Sequence, residues 1–154
     1  MRYLFVCTGN TCRSPMAEHI FNHLAGETGH SALSAGLAAW PGEPISELAR
    51  AVLLENYAID ASGHRARRAD ESLIEQADRI LTMNSRQRDH LRHLFPDLAD
   101  KIQTVGDAAG KPDEAVEDPF GLDRTAYQIT AGQLDRLIRR ILDSLEKPEA
   151  PAEP

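Results

Sequence analysis

The chain has 154 residues, of which 42% are hydrophobic and 27% charged, and its formal net charge is −7 at pH 7. This length predicts one domain with a sizeable core, and the composition excludes a disordered or membrane-spanning chain. Two cysteines are too few for a disulfide framework, the N-terminus lacks the pattern of a signal peptide, and the acidic balance disfavours nucleic acid and anionic lipid. We expect a cytoplasmic, monomeric protein that binds neither nucleic acid nor membranes.

The hydrophobic pattern predicts a strand followed by a helix at the start of the chain. Residues 2–8 (RYLFVCT) form a short apolar run that is typical of a buried strand. A helix is predicted over 14–27, with Ser14 as its N-cap and Pro15 at its first position. The apolar residues of this helix recur at helical spacing: Met16, Ala17, Ile20, Phe21 and Leu24.

The alternation of strands and helices continues along the chain. The further predicted strands are 31–36, 78–83 and 101–105, and the further predicted helices are 44–57, 85–95 and 123–147. The last helix carries one apolar stripe, consisting of Ile129, Leu134, Leu137, Ile138, Ile141 and Leu145. Residues 148–154 are rich in Pro, Glu and Ala and are expected to be a disordered tail. Such alternation predicts a parallel sheet that binds ligands beyond the carboxyl ends of its strands.

A thiol and a guanidinium stand at the two ends of the loop between the first strand and the first helix, at Cys7 and Arg13. The N–H groups of such a loop and the helix dipole favour a bound anion. Gly9 is expected to supply unusual backbone angles, and Asn10 tolerates the left-handed region. Arg13 can hold two phosphate oxygens, and the same environment favours the thiolate of Cys7. The alternative is a buried cysteine near a surface arginine, but the strand before the pattern and the helix after it predict nucleophilic attack on phosphorus.

The stretch VCTGNTCRSPMAE (6–18) closely resembles the phosphate loop of the low-molecular-weight protein tyrosine phosphatase family, which includes bacterial protein arginine phosphatases. The resemblance continues in order at 33–36 (LSAG), 63–67 (GHRAR) and 118–121 (DPFG). It implies a single α/β domain over 1–147, a three-layer sandwich whose four-stranded parallel sheet is flanked by helices, with the phosphate loop after the first strand. It also implies phosphorylated protein substrates and no metal or cofactor.

The resemblance implies catalytic roles for three residues. Cys7 is the nucleophile, Arg13 binds the phosphate, and Asp118 is first the general acid and then the general base. Glu117 is a lower-ranked substitute for the acid. The phosphate is expected to contact the whole loop, which comprises Thr8, Gly9, Asn10, Thr11, Cys12, Arg13 and Ser14.

Other residues are implied to support this loop. Ser14 is implied to bond the sulfur of the nucleophile, in addition to capping the helix. Asn10 is implied to hold the shape of the loop, supported by Ser34 and His64. For His64 an ordinary surface position is an equally good interpretation of the sequence.

The second cysteine, Cys12, is separated from Cys7 by four residues. One interpretation is a small loop residue without a role. The other is a resolving thiol, which traps the oxidised nucleophile as a reversible disulfide. We predict the second interpretation.

Three functions are compatible with such a loop. A protein phosphatase requires the nucleophile and the acid, and both are present. An arsenate reductase with this fold needs further cysteines for its thiol relay, and the sequence has none after Cys12. A non-catalytic phosphate-binding module would tolerate the loss of either catalytic group.

Which phosphorylated side chain the protein acts on is expected to depend on three predicted pocket residues. Tyrosine phosphatases of the family usually carry a bulky aliphatic residue at the position of Thr11, whereas the arginine phosphatases resemble this chain. Phe120 is followed by Gly121 rather than by a second aromatic residue, which again resembles the arginine branch. Trp40, either a pocket wall or an exposed loop residue, and the 63–67 stretch look more like the tyrosine branch. We predict a phosphoarginine phosphatase, with a tyrosine phosphatase as the alternative.

Overall fold

A computed structural model describes residues 1–147 of the chain, so the predicted tail at 148–154 lies outside the described residues. Four parallel strands form one sheet in the order β2-β1-β3-β4. Their bounds are β1 Arg2–Cys7, β2 Ser31–Gly36, β3 Arg79–Thr82 and β4 Ile102–Thr104. Each of the four lies within or at the bounds predicted from the sequence.

Six α-helices accompany the sheet in the described part of the chain. Their bounds are α1 Arg13–Ala25, α2 Glu47–Tyr57, α3 Glu71–Gln76, α4 Ser85–Leu94, α5 Val105–Ala108 and α6 Arg124–Glu146. A 3₁₀ turn over Pro96–Lys101 follows α4, which ends before Pro96 as the sequence predicts. None of the helices within residues 1–147 is both long and apolar enough to cross a membrane.

Helices cover the sheet on both faces. On one face, residues of β1 such as Phe5 pack with apolar side chains of α1, α2 and α6, for example Phe21, Leu53 and Leu134. On the other face, the intervening β1 residues pack against α3 and α4. Because the neighbouring residues of a strand point to opposite faces, the central strand is buried on both sides. The predicted three-layer α/β sandwich with a four-stranded parallel sheet is confirmed.

The structure corrects several details of the prediction. Helix α2 begins three residues after the predicted position 44, with Ser46 as its N-cap. Ile129 does not belong to the buried stripe of α6, since it is 64% exposed while the adjacent Thr130 is buried. Successive residues differ by about 100° around a helix, which turns Ile129 away from the core. Helix α3 was not predicted because only Ile74 of its six residues is buried, too few to show a period.

Candidate active site

The loop at residues 8–12 joins the carboxyl end of β1 to α1, and its carbonyl groups are bound by neighbouring segments. Thr8 O accepts a hydrogen bond from Ala38 N at 2.9 Å, and Thr11 O accepts one from Ser46 N at 2.9 Å. The N–H of Asn10, in contrast, points to the sulfur at the end of β1. Loops that turn successive N–H groups inward form anion-binding concavities.

Asn10 occupies the left-handed region of backbone angles, with a φ of 56°, and is completely buried. Its Nδ2 donates to Ser14 Oγ at 2.8 Å and to Ser34 Oγ at 2.9 Å, and its Oδ1 accepts from Arg67 N at 3.1 Å. Its own carbonyl lies 2.8 Å from His64 Nε2. A left-handed residue other than glycine costs roughly 1–2 kcal/mol, and these contacts offset that cost. The structure therefore brings Asn10, Ser34 and His64 together.

The expectation for Gly9 is wrong. The positive φ of the loop belongs to Asn10 and not to Gly9. A Cβ added at Gly9 would meet only Thr11 Oγ1, at an ordinary 3.6 Å. The glycine that the loop requires is Gly36 at the end of β2, where an added Cβ would lie 2.7 Å from Thr8 O and 3.0 Å from Asn10 N. Gly36 thus allows the loop to pack directly against the β2 backbone.

The sulfur of Cys7 lies at the buried floor of the loop. It is 2.9 Å from Ser14 Oγ and accepts a hydrogen bond from Asn10 N at 3.3 Å. The prediction that Ser14 caps α1 is wrong, because the helix begins at Arg13 and Cys12 occupies the cap position without a side-chain cap bond. The Ser14 hydroxyl is directed instead towards the sulfur. Hydrogen-bond donors in such positions stabilise a negatively charged sulfur.

Arg13 and Asp118 lie together although they are far apart in the sequence. Arg13 is buried, and its Nη2 lies 3.5 Å from Asp118 Oδ2. Its Nη1 donates to Val116 O at 3.2 Å, while Val116 N donates to Met83 O at 2.9 Å, just after β3. Asp118 is 54% exposed, and its Oδ1 accepts from Phe120 N at 3.1 Å. The segment that carries Asp118 is thereby attached both to the sheet and to the buried guanidinium.

The three residues predicted for a substrate pocket lie on different segments. Thr11 is half-buried within the loop, whereas Trp40 and Phe120 are 75% and 74% exposed. Trp40 lies in a segment attached to the loop on both sides, through Ala38 and Ser46. Phe120 follows Asp118 by two residues. The rings of Trp40 and Phe120 are therefore largely open to solvent.

Cys12 is buried, and its thiol faces away from the loop interior. Its Sγ lies 3.3 Å from Tyr127 Oη on α6 and 3.5 Å from Ser46 Oγ at the start of α2. Burial raises the pKa of Tyr127 to about 12, which keeps this hydroxyl protonated at neutral pH. Cys7 and Cys12 are both free thiols.

Sequence reasoning missed three residues that hold this site. Tyr127 lies within the predicted last helix, but it was not singled out there. Val116 acts through its backbone groups, which residues of any type carry. Gln87 is buried within the polar helix α4, where it accepts from Met83 N at 2.9 Å and donates to Thr8 Oγ1 at 3.2 Å. No sequence signal distinguishes this glutamine from its exposed neighbours.

The sequence that contains this loop and the residues around it matches a known protein family. The family model described as low molecular weight phosphotyrosine protein phosphatase matches residues 2–150. The chain belongs to this family. This membership makes the chain a cysteine-dependent protein phosphatase and disfavours the arsenate-reductase and binding-module alternatives.

Relatives of this low-molecular-weight phosphatase are named for both substrate classes. A protein-arginine-phosphatase of Geobacillus stearothermophilus is 36% identical over 145 residues, which are 94% of this chain and 96% of the relative. The structure of a low-molecular-weight protein tyrosine phosphatase from T. tengcongensis has a TM-score of 0.89 and 43% identity, and the match covers 94% of this chain and 99% of that one. The structure of an arginine phosphatase whose active-site cysteine is replaced by a phosphorylated serine has a TM-score of 0.90 and 33% identity. This match covers 97% of this chain and 98% of that one.

Proposed function

We propose that this phosphatase removes phosphate from phosphorylated arginine side chains of proteins, through a phosphocysteine intermediate on Cys7. The observation that carries the proposal is the setting of Cys7 Sγ, 2.9 Å from Ser14 Oγ and 3.3 Å from Asn10 N at the floor of the loop. A sulfur in this position faces any tetrahedral anion bound by the loop and by Arg13. The phosphorylated active-site serine of the arginine phosphatase relative supports the same covalent route.

In the first step, the Cys7 thiolate attacks phosphorus. An S–P bond forms while the P–N bond of phosphoarginine breaks, and the electron pair of that bond goes to the guanidino nitrogen. Asp118 in its protonated form gives its proton to this nitrogen. Arg13 and the loop N–H groups bind the three remaining oxygens, over which the negative charge of the transferred group is spread in the transition state.

In the second step, water attacks the phosphocysteine. The Asp118 carboxylate accepts a proton from the water, an O–P bond forms and the S–P bond breaks. Inorganic phosphate leaves, and the sulfur returns to the thiolate. Ser14 Oγ donates to the departing sulfur and stabilises its charge.

The contact between Arg13 and Asp118 links binding to proton transfer. At 3.5 Å the two groups form a loose ion pair that bridges the mouth of the loop. A bound phosphate competes with Asp118 for the guanidinium. It offers two oxygens to Arg13 at once, and this bidentate interaction is stronger than the loose ion pair. Asp118 is then released at the position where the leaving group emerges.

Thr11 supports phosphoarginine as the substrate. Its half-buried side chain belongs to the loop that surrounds the phosphate, between Asn10 and Cys12. Phosphoarginine presents polar N–H donors next to phosphorus, and a threonine hydroxyl can accept one of them. A bulky aliphatic residue would leave that N–H unpaired, at about 1–3 kcal/mol when buried.

Phosphotyrosine is the second candidate substrate, and two exposed aromatic residues favour it. Trp40 and Phe120 are 75% and 74% exposed, and both could pack on a phenyl ring. The relative from T. tengcongensis, 43% identical, is named a tyrosine phosphatase. Overall identity therefore does not separate the two substrates, and the choice depends on the residues around the phosphate.

The deciding experiment is steady-state kinetics with a phosphoarginine peptide and a phosphotyrosine peptide of the same sequence. We expect kcat/KM to be at least about tenfold higher for phosphoarginine, which corresponds to about 1.4 kcal/mol. The Cys7→Ser variant, purified in the same way, controls for contaminating phosphatases, and a sample without protein controls for spontaneous hydrolysis. A wild type that prefers phosphotyrosine contradicts the assignment.

We also propose that the protein works in the cytoplasm as a monomer and does not bind nucleic acid. Two free thiols, Cys7 and Cys12, suit a reducing compartment, and the net charge of −7 disfavours polyanions. Size-exclusion chromatography with light scattering measures the oligomeric state directly, and a dimer mass contradicts this part of the proposal.

A further inference from the structure

Three potential metal ligands lie together behind the phosphate loop. The proposed reaction does not use them as metal ligands. Glu18 and His19 are neighbours on α1, and His64 approaches them from the segment before α3. One ligand atom from each residue lies within 4.8 Å of the other two. His19 and His64 meet edge to face, with ring centroids 6.4 Å apart.

One ring nitrogen of His19 is available to bind a ligand. Its Nε2 is buried and has no hydrogen-bond partner among residues 1–147. Glu18 Oε2 lies 3.9 Å from this nitrogen, beyond hydrogen-bond distance. Buried polar atoms are nearly always paired, so this nitrogen points to a ligand.

The other two residues are held as metal ligands usually are. His64 Nε2 donates to Asn10 O at 2.8 Å, which leaves its Nδ1 with a lone pair. Glu18 Oε1 accepts from Ser34 Oγ at 2.7 Å, which leaves its Oε2 free. Metal-binding histidines commonly donate their second N–H to a backbone carbonyl, and metal-binding carboxylates are commonly hydrogen-bonded in turn.

We propose that Glu18, His19 and His64 bind a zinc ion, with water as the fourth ligand. Two imidazoles and one carboxylate suit zinc and not magnesium, which prefers oxygen ligands. The three donor atoms lie within 4.8 Å of one another, and side-chain rotations would have to bring them closer to form zinc bonds of about 2.1 Å. The site is independent of the proposed reaction, because no step of that reaction uses the metal.

Zinc at this position is connected to the phosphate loop by two routes. His64 contacts the carbonyl of Asn10, and Glu18 contacts its side chain through Ser34 Oγ, at 2.9 Å from Asn10 Nδ2. Asn10 holds the left-handed turn of the loop with a φ of 56°. A bound ion therefore fixes both supports of this turn and stabilises the folded chain against unfolding.

The test is calorimetric titration of zinc into the full chain carrying Cys7→Ser and Cys12→Ser, so that no thiol competes for the metal. We expect one bound ion, a higher melting temperature with zinc, and no binding of magnesium. In this background His19→Gln is expected to weaken zinc binding at least about tenfold. His90→Gln, an exposed histidine on α4, is the matched control and should leave the affinity unchanged.

Glu18→Gln provides a second variant in case His19→Gln does not fold, which thermal denaturation without metal establishes. Cobalt in place of zinc adds a spectroscopic readout, since tetrahedral coordination by nitrogen and oxygen gives visible absorption bands. Loss of these bands in both variants supports the site. Failure of the thiol-free protein to bind zinc, or equal zinc affinity in both variants and in the His90 control, overturns it. Neither outcome affects the phosphatase assignment, which is measured without metal.

Discussion

Ser14 Oγ lies 2.9 Å from Cys7 Sγ. The hydroxyl accepts from Asn10 Nδ2 at 2.8 Å, and its proton can be donated either to Ala35 O at 3.4 Å or to the nearer sulfur. The same contact serves the thiolate before attack and the departing sulfur of the phosphocysteine. Ser14 is therefore expected to act on the hydrolysis of the intermediate as well as on its formation.

Ser14→Ala should slow the breakdown of the phosphocysteine. A hydrogen bond to a charged group contributes about 1.5–3 kcal/mol, which corresponds to a decrease in kcat of about ten- to a hundredfold. Pre-steady-state kinetics with an activated aryl phosphate should show a burst of the aryl product, followed by slow turnover. The exposed Ser72→Ala is the control. A kcat for Ser14→Ala within twofold of wild type would remove the hydroxyl from the mechanism.

Asp118→Ala should affect substrates according to their leaving groups. A poor leaving group needs the proton most, so the rate for phosphoarginine should fall by about 10²–10⁴, whereas an activated aryl phosphate should lose less. Glu117→Ala is the matched control, since it removes the adjacent carboxylate. Equal losses for both substrates, or a larger loss in Glu117→Ala, would show that Asp118 is not the acid.

Oxidation tests the role of Cys12. Peroxide should inactivate the enzyme, and a dithiol should restore activity by reducing a Cys7–Cys12 disulfide. Since the Cys12 thiol is held by Tyr127 Oη at 3.3 Å, Tyr127→Phe should accelerate formation of the disulfide, as measured by mass spectrometry of peroxide-treated protein. Cys12→Ser should recover poorly after prolonged exposure. Complete recovery of Cys12→Ser would exclude Cys12 as the resolving thiol.

Thr11→Ile should shift specificity towards phosphotyrosine by at least about tenfold in the ratio of kcat/KM values, equivalent to about 1.4 kcal/mol. Isoleucine leaves a guanidino N–H unpaired and adds apolar contact to a ring, worth about 0.8 kcal/mol per buried methylene-sized group. Thr11→Val separates the two effects, because it removes the hydroxyl without adding length. An unchanged ratio in both variants would show that Thr11 does not select the substrate.

Local patterns in the sequence were sufficient to predict the four strands and the longer helices. Alternating strands and helices require a parallel sheet, and the motif between Cys7 and Arg13 predicted an anion-binding loop at the end of β1. Helix α6 was predicted almost to the residue because its period is repeated over 23 residues. The six residues of α3 are too few for such a signal.

The details of the site could not be predicted because they depend on distant contacts. Arg13 meets Val116 across 103 positions of sequence, and Cys12 meets Tyr127 across 115. The assignment of Ser14 as a cap followed a sound local preference, but the sulfur of Cys7 competes for its hydroxyl. Gly9 was expected to take the unusual backbone angles of the loop. Asn10, which the sequence also allowed in the left-handed region, takes them instead.

The most direct test of the account is to trap the intermediate. Asp118→Ala is mixed with a phosphoarginine protein, quenched at intervals from milliseconds to minutes because loss of the acid also slows formation of the intermediate, and digested for mass spectrometry, with Cys7→Ser/Asp118→Ala as the control. We expect one added phosphoryl group on the peptide that contains Cys7, stable enough to detect because the general base is absent. A phosphoryl group on another residue of the wild-type or variant chain, or turnover of phosphoarginine without any phosphocysteine, would contradict the mechanism.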